Sequence, residues 1–437
     1  MTGRLALSSA QTAVWVAQQL DPDDRSFNIA EYCDIQGPVD PALFEAALRE
    51  VVAATPTLRA RFDLGDEGLC QYIDDTVDVP MHYLDVSGEA DPPAAAERWI
   101  RQDLAREYHL AKGPLFGWAL FKLADERYWW YRAAHHIVVD GFGFSLIASH
   151  VADVYSALAT GRPRRRRPPG TLEQVIAADT AYQNSPAYEQ DRRFWLDRLA
   201  GRREVASFTD WRPPRARAAI RESGRLAPEA LAELRAVARR LEVTWPEVVI
   251  AVVAVQLYRA TGIRDLVVGL PVTARTEPLL RQVPTMLTNV VPLPLVLGPE
   301  SDVAAVVAQT SQRLAEALEH QRYPQEHLVR EVPGLPKGRR QFGPDLNIMS
   351  FNYRGDYAGH PSTGHSLRPG PVDDLSVNIY DRLGGQGLEI CFDGNAELYR
   401  PEQLAGRVGD LVALLGSVTE LLDGGPLGPA AGQALTD

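Results

Sequence analysis

Hydrophobic positions along this chain switch repeatedly between a period near two and a period near 3.6 residues, which predicts a mixed α/β protein. Ser8-Ser-Ala-Gln11 is a capping-box pattern, and Val14, Leu20 and the alanines between them continue it as a first helix. Residues 28–36 alternate loosely and end at Gly37-Pro38, a strand followed by a turn. Asp40-Pro41 supplies a cap with proline at the first helical position, and Leu43/Phe44, Ala47/Leu48 and Val51/Val52 then recur at helical spacing. Residues 115–123 and 128–139 are apolar, aromatic-rich runs separated by Ala124-Asp-Glu-Arg127, and they read as a β-hairpin. Beyond Gly141, the residues Ile147, Val151, Val154 and Leu158 lie on one face of an amphipathic helix.

The clearest break is Gly161-Arg-Pro-Arg-Arg-Arg-Arg-Pro-Pro-Gly170, where prolines and like charges exclude a packed element and predict a solvated linker or loop. It divides the expected domains into 1–170 and 171–437. The second half predicts helices at 228–241, 245–260 and 303–320, with strands at 266–270, 290–297, 346–352, 375–380 and 388–392. Strands and helices mixed in both halves predict two α/β layers facing each other across a cleft. No short-period repeat is present, so any symmetry lies in the fold.

Composition narrows the class. At 437 residues the chain suits two domains or two halves of one pseudo-symmetric whole, and 45% hydrophobic with 23% charged residues is ordinary for a globular protein. The formal charge of −12 argues against a nucleic-acid partner and outweighs the arginine run. Cys33, Cys70 and Cys391 lie far apart without a C-x-x-C pair, which excludes a disulfide scaffold and a thiolate zinc site and reads as small buried hydrophobes in a reducing cytoplasm. No apolar run approaches the length of a membrane span, and the N-terminus lacks a signal-peptide core, so the expectation is a cytoplasmic protein with no membrane partner.

The candidate chemistry is at residues 135–141, His-His-Ile-Val-Val-Asp-Gly. Average residue usage would place H-H-x-x-x-D-G by chance in roughly one chain per thousand of this length, so the match is specific. Histidine titrates near neutrality and suits proton handling. On a regular strand His135 and His136 point to opposite faces, so one of them at most serves a given site. Two readings stand for Asp140: it orients an imidazole as in a catalytic triad, or it pairs with a buried arginine and holds the loop. Gly141 permits close backbone approach. Neither a G-x-S-x-G elbow, a dinucleotide loop, a Walker A sequence nor a zincin motif is present, and no further metal ligands accompany the histidines.

At these residues the chain resembles the condensation domains of nonribosomal peptide synthetases, whose signature is HHxxxDG. Ser9-Ala-Gln-Thr-Ala-Val-Trp15 resembles the family's opening motif, and Thr57-Leu-Arg-Ala-Arg-Phe62 the end of its second. Gly269-Leu-Pro-Val-Thr-Ala-Arg275 with Thr288-Asn289, His320-Gln-Arg-Tyr-Pro-Gln-Glu326 and Phe342-Gly-Pro-Asp-Leu-Asn347 resemble later motifs in the same order. Within the family the resemblance is nearest to enterobactin-synthetase-like siderophore assembly lines, on residues 18–31, 129–131 and Gly370-Pro-Val-Asp-Asp374. The chain departs from the peptide-bond type at Ala54-Thr-Pro-Thr57, where R-H-E-x is usual, and this leaves the donor class open.

The resemblance implies two chloramphenicol-acetyltransferase-like subdomains in a V-shaped pseudo-dimer with a central tunnel. It implies an upstream donor and a downstream acceptor peptidyl carrier protein, each presenting a thioester on 4'-phosphopantetheine, alongside adjacent synthetase domains. No cofactor or metal bound by the domain itself is implied. By motif match His136 is the catalytic residue, His135 is structural, and Asp140 pairs with Arg59 or Arg275. Gly141 leaves room for the acceptor arm, and Asn289 lines the tunnel. Amide formation is the expected reaction, in antibiotic or siderophore assembly. The alternatives are an ester-forming or free-standing enzyme with a soluble acceptor, and a non-catalytic carrier-recruitment domain. The first and last motifs lie near the two ends of the chain, which suits an excised domain or a stand-alone enzyme.

Overall fold

The structure is a computed structural model that describes residues 3–65, 68–79, 81–163, 170–201, 206–209, 218–332, 342–349, 355–368, 370–381 and 386–428. It falls into two compact units, Met1–Ser185 with Thr273–Thr288 and Tyr353–Pro371, and Pro186–Val272 with Asn289–Asn352 and Val372–Asp437. The units are therefore interleaved in sequence and do not divide at residue 170. The two late inserts find their hydrogen-bonding partners in the first unit, which a break in local composition cannot reveal. Most of the arginine-rich stretch, residues 164–169, lies outside the described residues, as do residues 350–352 at the end of one expected strand.

The first unit is built on a six-stranded sheet in the order Asp356–Tyr357, His360–Arg368, Asn28–Gln36, Arg127–His135, Phe116–Ala124, Met81–Asp85. The expected hairpin forms its centre, with Phe116 opposite Ala134 and Phe121 opposite Trp129. Strand alternation sends Trp130 to one face and Trp129 and Tyr131 to the other. Trp130 joins Cys33, Ile35, Phe44 and Ile147 in the main core, whereas Trp129 and Tyr131 pack with Ile100 and Phe121. Ser8 and Gln11 cap the helix Ser9–Leu20 reciprocally, and Asp40 caps Pro41–Ala54, as their sequence patterns predict. Arg132 is fully buried, donates to Glu31 Oε2 at 2.6 Å and lies over the rings of Trp130 at 5.0 Å and Phe144 at 5.5 Å. It thereby fastens the start of the helix Gly141–Thr160 to the sheet.

That helix is long and apolar enough to cross a membrane, which corrects the expectation that no run approaches such a length. It is a core helix here: Phe144, Ile147, Val151, Val154 and Tyr155 are buried. Cys33 and Cys391 are buried, whereas Cys70 keeps part of its surface exposed.

The second unit has its own six-stranded sheet, ordered Ala219–Leu226, Leu388–Asn395, Leu375–Tyr380, Asp345–Met349, Asp265–Val272, Asn289–Val296. The helix Trp245–Thr261 is buried continuously from Val248 to Tyr258, which is why its sequence is apolar on all sides. On the edge strand, the Gln309 side chain accepts from the Val296 N–H at 2.7 Å and donates to its carbonyl at 3.1 Å, so one amide closes part of an open strand edge.

Candidate active site

The strand carrying the histidine motif ends at His135 rather than continuing to residue 139. A turn follows, closed by the Val138 N–H donating to the His135 carbonyl at 3.1 Å, and it delivers Asp140 to the N-cap of Gly141–Thr160. His135 is buried in the turn. Its Nδ1 accepts from the Ile137 N–H at 3.2 Å, and its Nε2 meets Gln18 Oε1 at 2.8 Å. The Gln18 Nε2 donates to the carbonyls of Asp21, Pro22 and Asp24 at 3.0, 3.2 and 3.1 Å, so its oxygen must face the histidine. That fixes the proton of His135 on Nε2 and leaves no place for a second on Nδ1. Burial, assisted by His136, pushes its pKa down to about 3.

An unfolded histidine takes up its proton near pH 6.5, whereas the folded one takes it up only near pH 3. Between those values the unfolded chain holds the extra proton, so stability falls as the pH drops through that window, by up to about 1.4 kcal/mol per pH unit. His135→Asn is expected to flatten this slope between pH 6 and pH 4 in urea titrations. A slope equal to that of the wild type would refute the assignment.

His136 is held through its backbone, the N–H donating to the Phe27 carbonyl at 2.8 Å. Its imidazole makes no side-chain hydrogen bond among the described residues, and Nδ1 is buried without a partner. Burial lowers its pKa, while the Asp140 charge and the backbone carbonyls of His136 and Val139 oppose that. The ring is therefore neutral at neutral pH.

Asp140 takes the second of its two readings. It is fully buried, and Arg275 grips it through both oxygens, Nη1 to Oδ2 at 2.8 Å and Nη2 to Oδ1 at 3.0 Å. Oδ1 also accepts from the Gly143 N–H at 2.8 Å, and Oδ2 from the Leu287 N–H, the Thr288 N–H and Thr288 Oγ1, each at 3.0 Å. Burial pushes its pKa upward, but the Arg275 charge and these donors outweigh it and hold the carboxyl below the usual range. The carboxylate thus joins the helix start to the insert Thr273–Thr288 and makes no hydrogen bond to either histidine ring.

Arg59, the other candidate partner, pairs instead with Asp75 and donates to the Ala53 carbonyl at 3.2 Å. Asn289 belongs to the second unit. Its Nδ2 donates to the carbonyls of Gln321 and Tyr323 at 2.9 and 2.7 Å, and its Oδ1 accepts from the Gln325 N–H at 3.1 Å, so it holds a turn. Gly141 opens the helix, but the steric demand falls on Gly143, where a Cβ would lie 2.6 Å from Val139 Cγ2 and 3.3 Å from Asp140 Oδ1. Sequence reasoning missed Gln18, Gly143 and the Thr288 hydroxyl as partners of the motif. Gln18 and Thr288 each lie in a segment that resembles the family, residues 18–31 and Thr288-Asn289, and that is the signal they carried.

A neutral imidazole with no carboxylate behind it is a weaker base than a triad histidine. It can still orient a nucleophile that is already basic and hold its proton, which suits acyl transfer to an amine. Two α/β units, each built on its own six-stranded sheet, define the class as an acetyltransferase-like acyltransferase. The model of the condensation-domain family matches residues 1–423, and the chain belongs to that family. Condensation domains are amide-forming acyltransferases, and this chain is one.

A dimodular nonribosomal peptide synthase of Bacillus subtilis (strain 168) is 43% identical over 394 residues, covering 90% of this chain and 17% of the synthase. An isonitrile lipopeptide synthase of Streptomyces coeruleorubidus is 42% identical over 444 residues, 98% of this chain and 30% of that protein. This chain thus spans less than a third of either relative. Enterobactin synthase component F of Escherichia coli (strain K12) is 28% identical over 97% of the chain, so enterobactin-like synthetases are among its kin. Among solved structures, the starter condensation domain of rhizomide synthetase, in a variant bound to C8-CoA and Leu-SNAC, superimposes with a TM-score of 0.90 at 38% identity. That match covers 98% of this chain and 96% of the other.

Proposed function

We propose that this chain joins an acyl thioester to the α-amine of an aminoacyl thioester, with His136 orienting the amine and handling its proton. The observation that carries this reading is the neutral His136 imidazole, free of side-chain hydrogen-bond partners among the described residues, beside a carboxylate that Arg275 has locked. The neutral amine attacks the thioester carbonyl carbon; the C–N bond forms and the C–S bond breaks. The amine proton leaves by way of His136 to the departing thiolate, and the acyl chain ends on the acceptor. The donor is a medium-length fatty acyl group rather than a peptide. Likeness to a starter domain bound to C8-CoA and Leu-SNAC supports this, as does the absence of R-H-E-x at Ala54-Thr-Pro-Thr57. In the cell both substrates arrive on the phosphopantetheine arms of carrier proteins, the usual neighbours within synthetases such as the relatives matched.

The test is mass-spectrometric detection of octanoyl-leucyl thioester from an octanoyl donor and a leucyl thioester, with a hydroxyacyl acceptor offered in parallel. Amide product supports the reading. Ester product alone moves the assignment to an ester-forming enzyme, and no product from any pair moves it to carrier recruitment.

The pH profile supplies a second check. Because burial lowers the His136 pKa, its neutral form persists below pH 6.5. The acid limb due to His136 should therefore lie below pH 6.5, beneath the limb from the acceptor amine at about 7.7–8. A His136-dependent limb above pH 7 would contradict this.

A further inference from the structure

Gly370 lies 234 residues beyond His136 in sequence yet beside its ring: a Cβ on Gly370 would stand 3.3 Å from Cδ2 and 3.6 Å from Nε2 of the imidazole. The spacing is held from both sides by one strand. His136 is tied through its N–H to the Phe27 carbonyl, directly before Asn28–Gln36. Gly370 follows His360–Arg368, which pairs along the other edge of that strand with Arg368 opposite Ala30. Arg368 Nη1 adds a hydrogen bond to the Arg25 carbonyl at 3.1 Å, pinning the strand end two residues before the glycine. Gly370 also has a φ of +144°, which residues with side chains rarely adopt. The backbone therefore favours glycine, and a Cβ here would crowd the edge of the ring.

An amine hydrogen-bonded to Nε2 must come within about 2.9 Å of it. A methyl group 3.6 Å from Nε2 would occupy the flank of that approach, where the carbon bearing the amine and its substituent must lie. We infer that Gly370 is a specificity-determining residue, whose missing side chain leaves the Nε2 edge of His136 open to the amine-bearing carbon of the acceptor. The inference rests on the amide-forming reading given above, and its tests separate the two.

Wild type and Gly370→Ala are each assayed with a glycyl and a leucyl thioester acceptor against the same donor. The ratio of kcat/KM for the two acceptors is internal to each protein, so a general folding defect cancels. The expected result is a loss with the leucyl acceptor at least tenfold greater than with the glycyl acceptor. Equal loss with both, up to complete inactivity, overturns the inference, as does no loss at all. Wild-type protein that forms no amide with either acceptor overturns the reading on which it rests.

A second measurement needs no substrate. Carbethoxylation of His136 by diethyl pyrocarbonate, mapped by peptide mass and referenced to His109 (58% exposed side chain), should slow at least threefold in Gly370→Ala. An unchanged or faster rate counts against the inference, and an opened fold would give the faster one.

Discussion

Replacing Asp140 with alanine is expected to destabilise the first unit by about 3–5 kcal/mol, the cost of breaking a buried ion pair from one side. That is a large share of the roughly 5–15 kcal/mol by which a domain is stable, so the variant should be partly unfolded or strongly shifted in urea midpoint. The change leaves Arg275, 2% exposed, without a counter-ion, and it strips acceptors from the N–H groups of Gly143, Leu287 and Thr288. Asp140→Asn should lie between, since its amide oxygen can still cap Gly143 while the charge is lost. The double variant Asp140→Ala with Arg275→Leu should recover part of the loss, because no charge is then stranded. A single Asp140→Ala as stable as the wild type would show that the pair does not hold the insert.

His136→Ala is expected to lower the rate of amide formation by about 10²–10⁴-fold, the range for removal of a positioned proton-handling side chain. Folding should survive, because the ring makes no side-chain hydrogen bond and the contact with Phe27 uses the backbone. His136→Gln divides the two contributions. Glutamine can accept a hydrogen bond from the amine but cannot carry its proton at neutral pH. Substantial rescue by glutamine, measured where the acceptor amine is already neutral, would assign most of the effect to orientation. A loss below fivefold with alanine would remove His136 from the chemistry.

The elements legible in the sequence are those whose cause is local. The reciprocal Ser8–Gln11 cap, the Asp40 cap and the aromatic hairpin Phe116–Ala124 with Arg127–His135 are each determined within a few residues. Leu375–Tyr380 matches its apolar run end to end. The strand His360–Arg368 was not legible: His-Pro-Ser-Thr-Gly-His-Ser-Leu-Arg is polar and glycine-bearing, and it becomes a strand because Asn28–Gln36 offers an edge. The helix Pro92–Leu104 was also missed, although Asp91-Pro92-Pro93 carries the cap and proline signals that mark its start.

At the site, the motif shows which histidine and carboxylate to examine, but not their partners. Resemblance left Arg59 and Arg275 as equals for Asp140. Only the fold, which carries Arg275 across 135 residues, distinguishes them. Gln18 carries no sign in its own sequence context that it will fix the proton of His135. Gly370 was noted within a motif, but its contact with the imidazole edge is a three-dimensional fact.

The late arrival of His360–Arg368 in the first sheet has a consequence for synthesis. A ribosome adding about 5–20 residues per second releases Asn28–Gln36 well before the segment that pairs with its second edge. For ten seconds or more that edge is an unpaired strand on a nascent chain. Between residues 186 and 352 most of what emerges belongs to the other unit. A fragment that stops at residue 185 keeps the edge open permanently, a template for pairing with its own copies, and should accumulate in aggregates where the full chain remains dispersed.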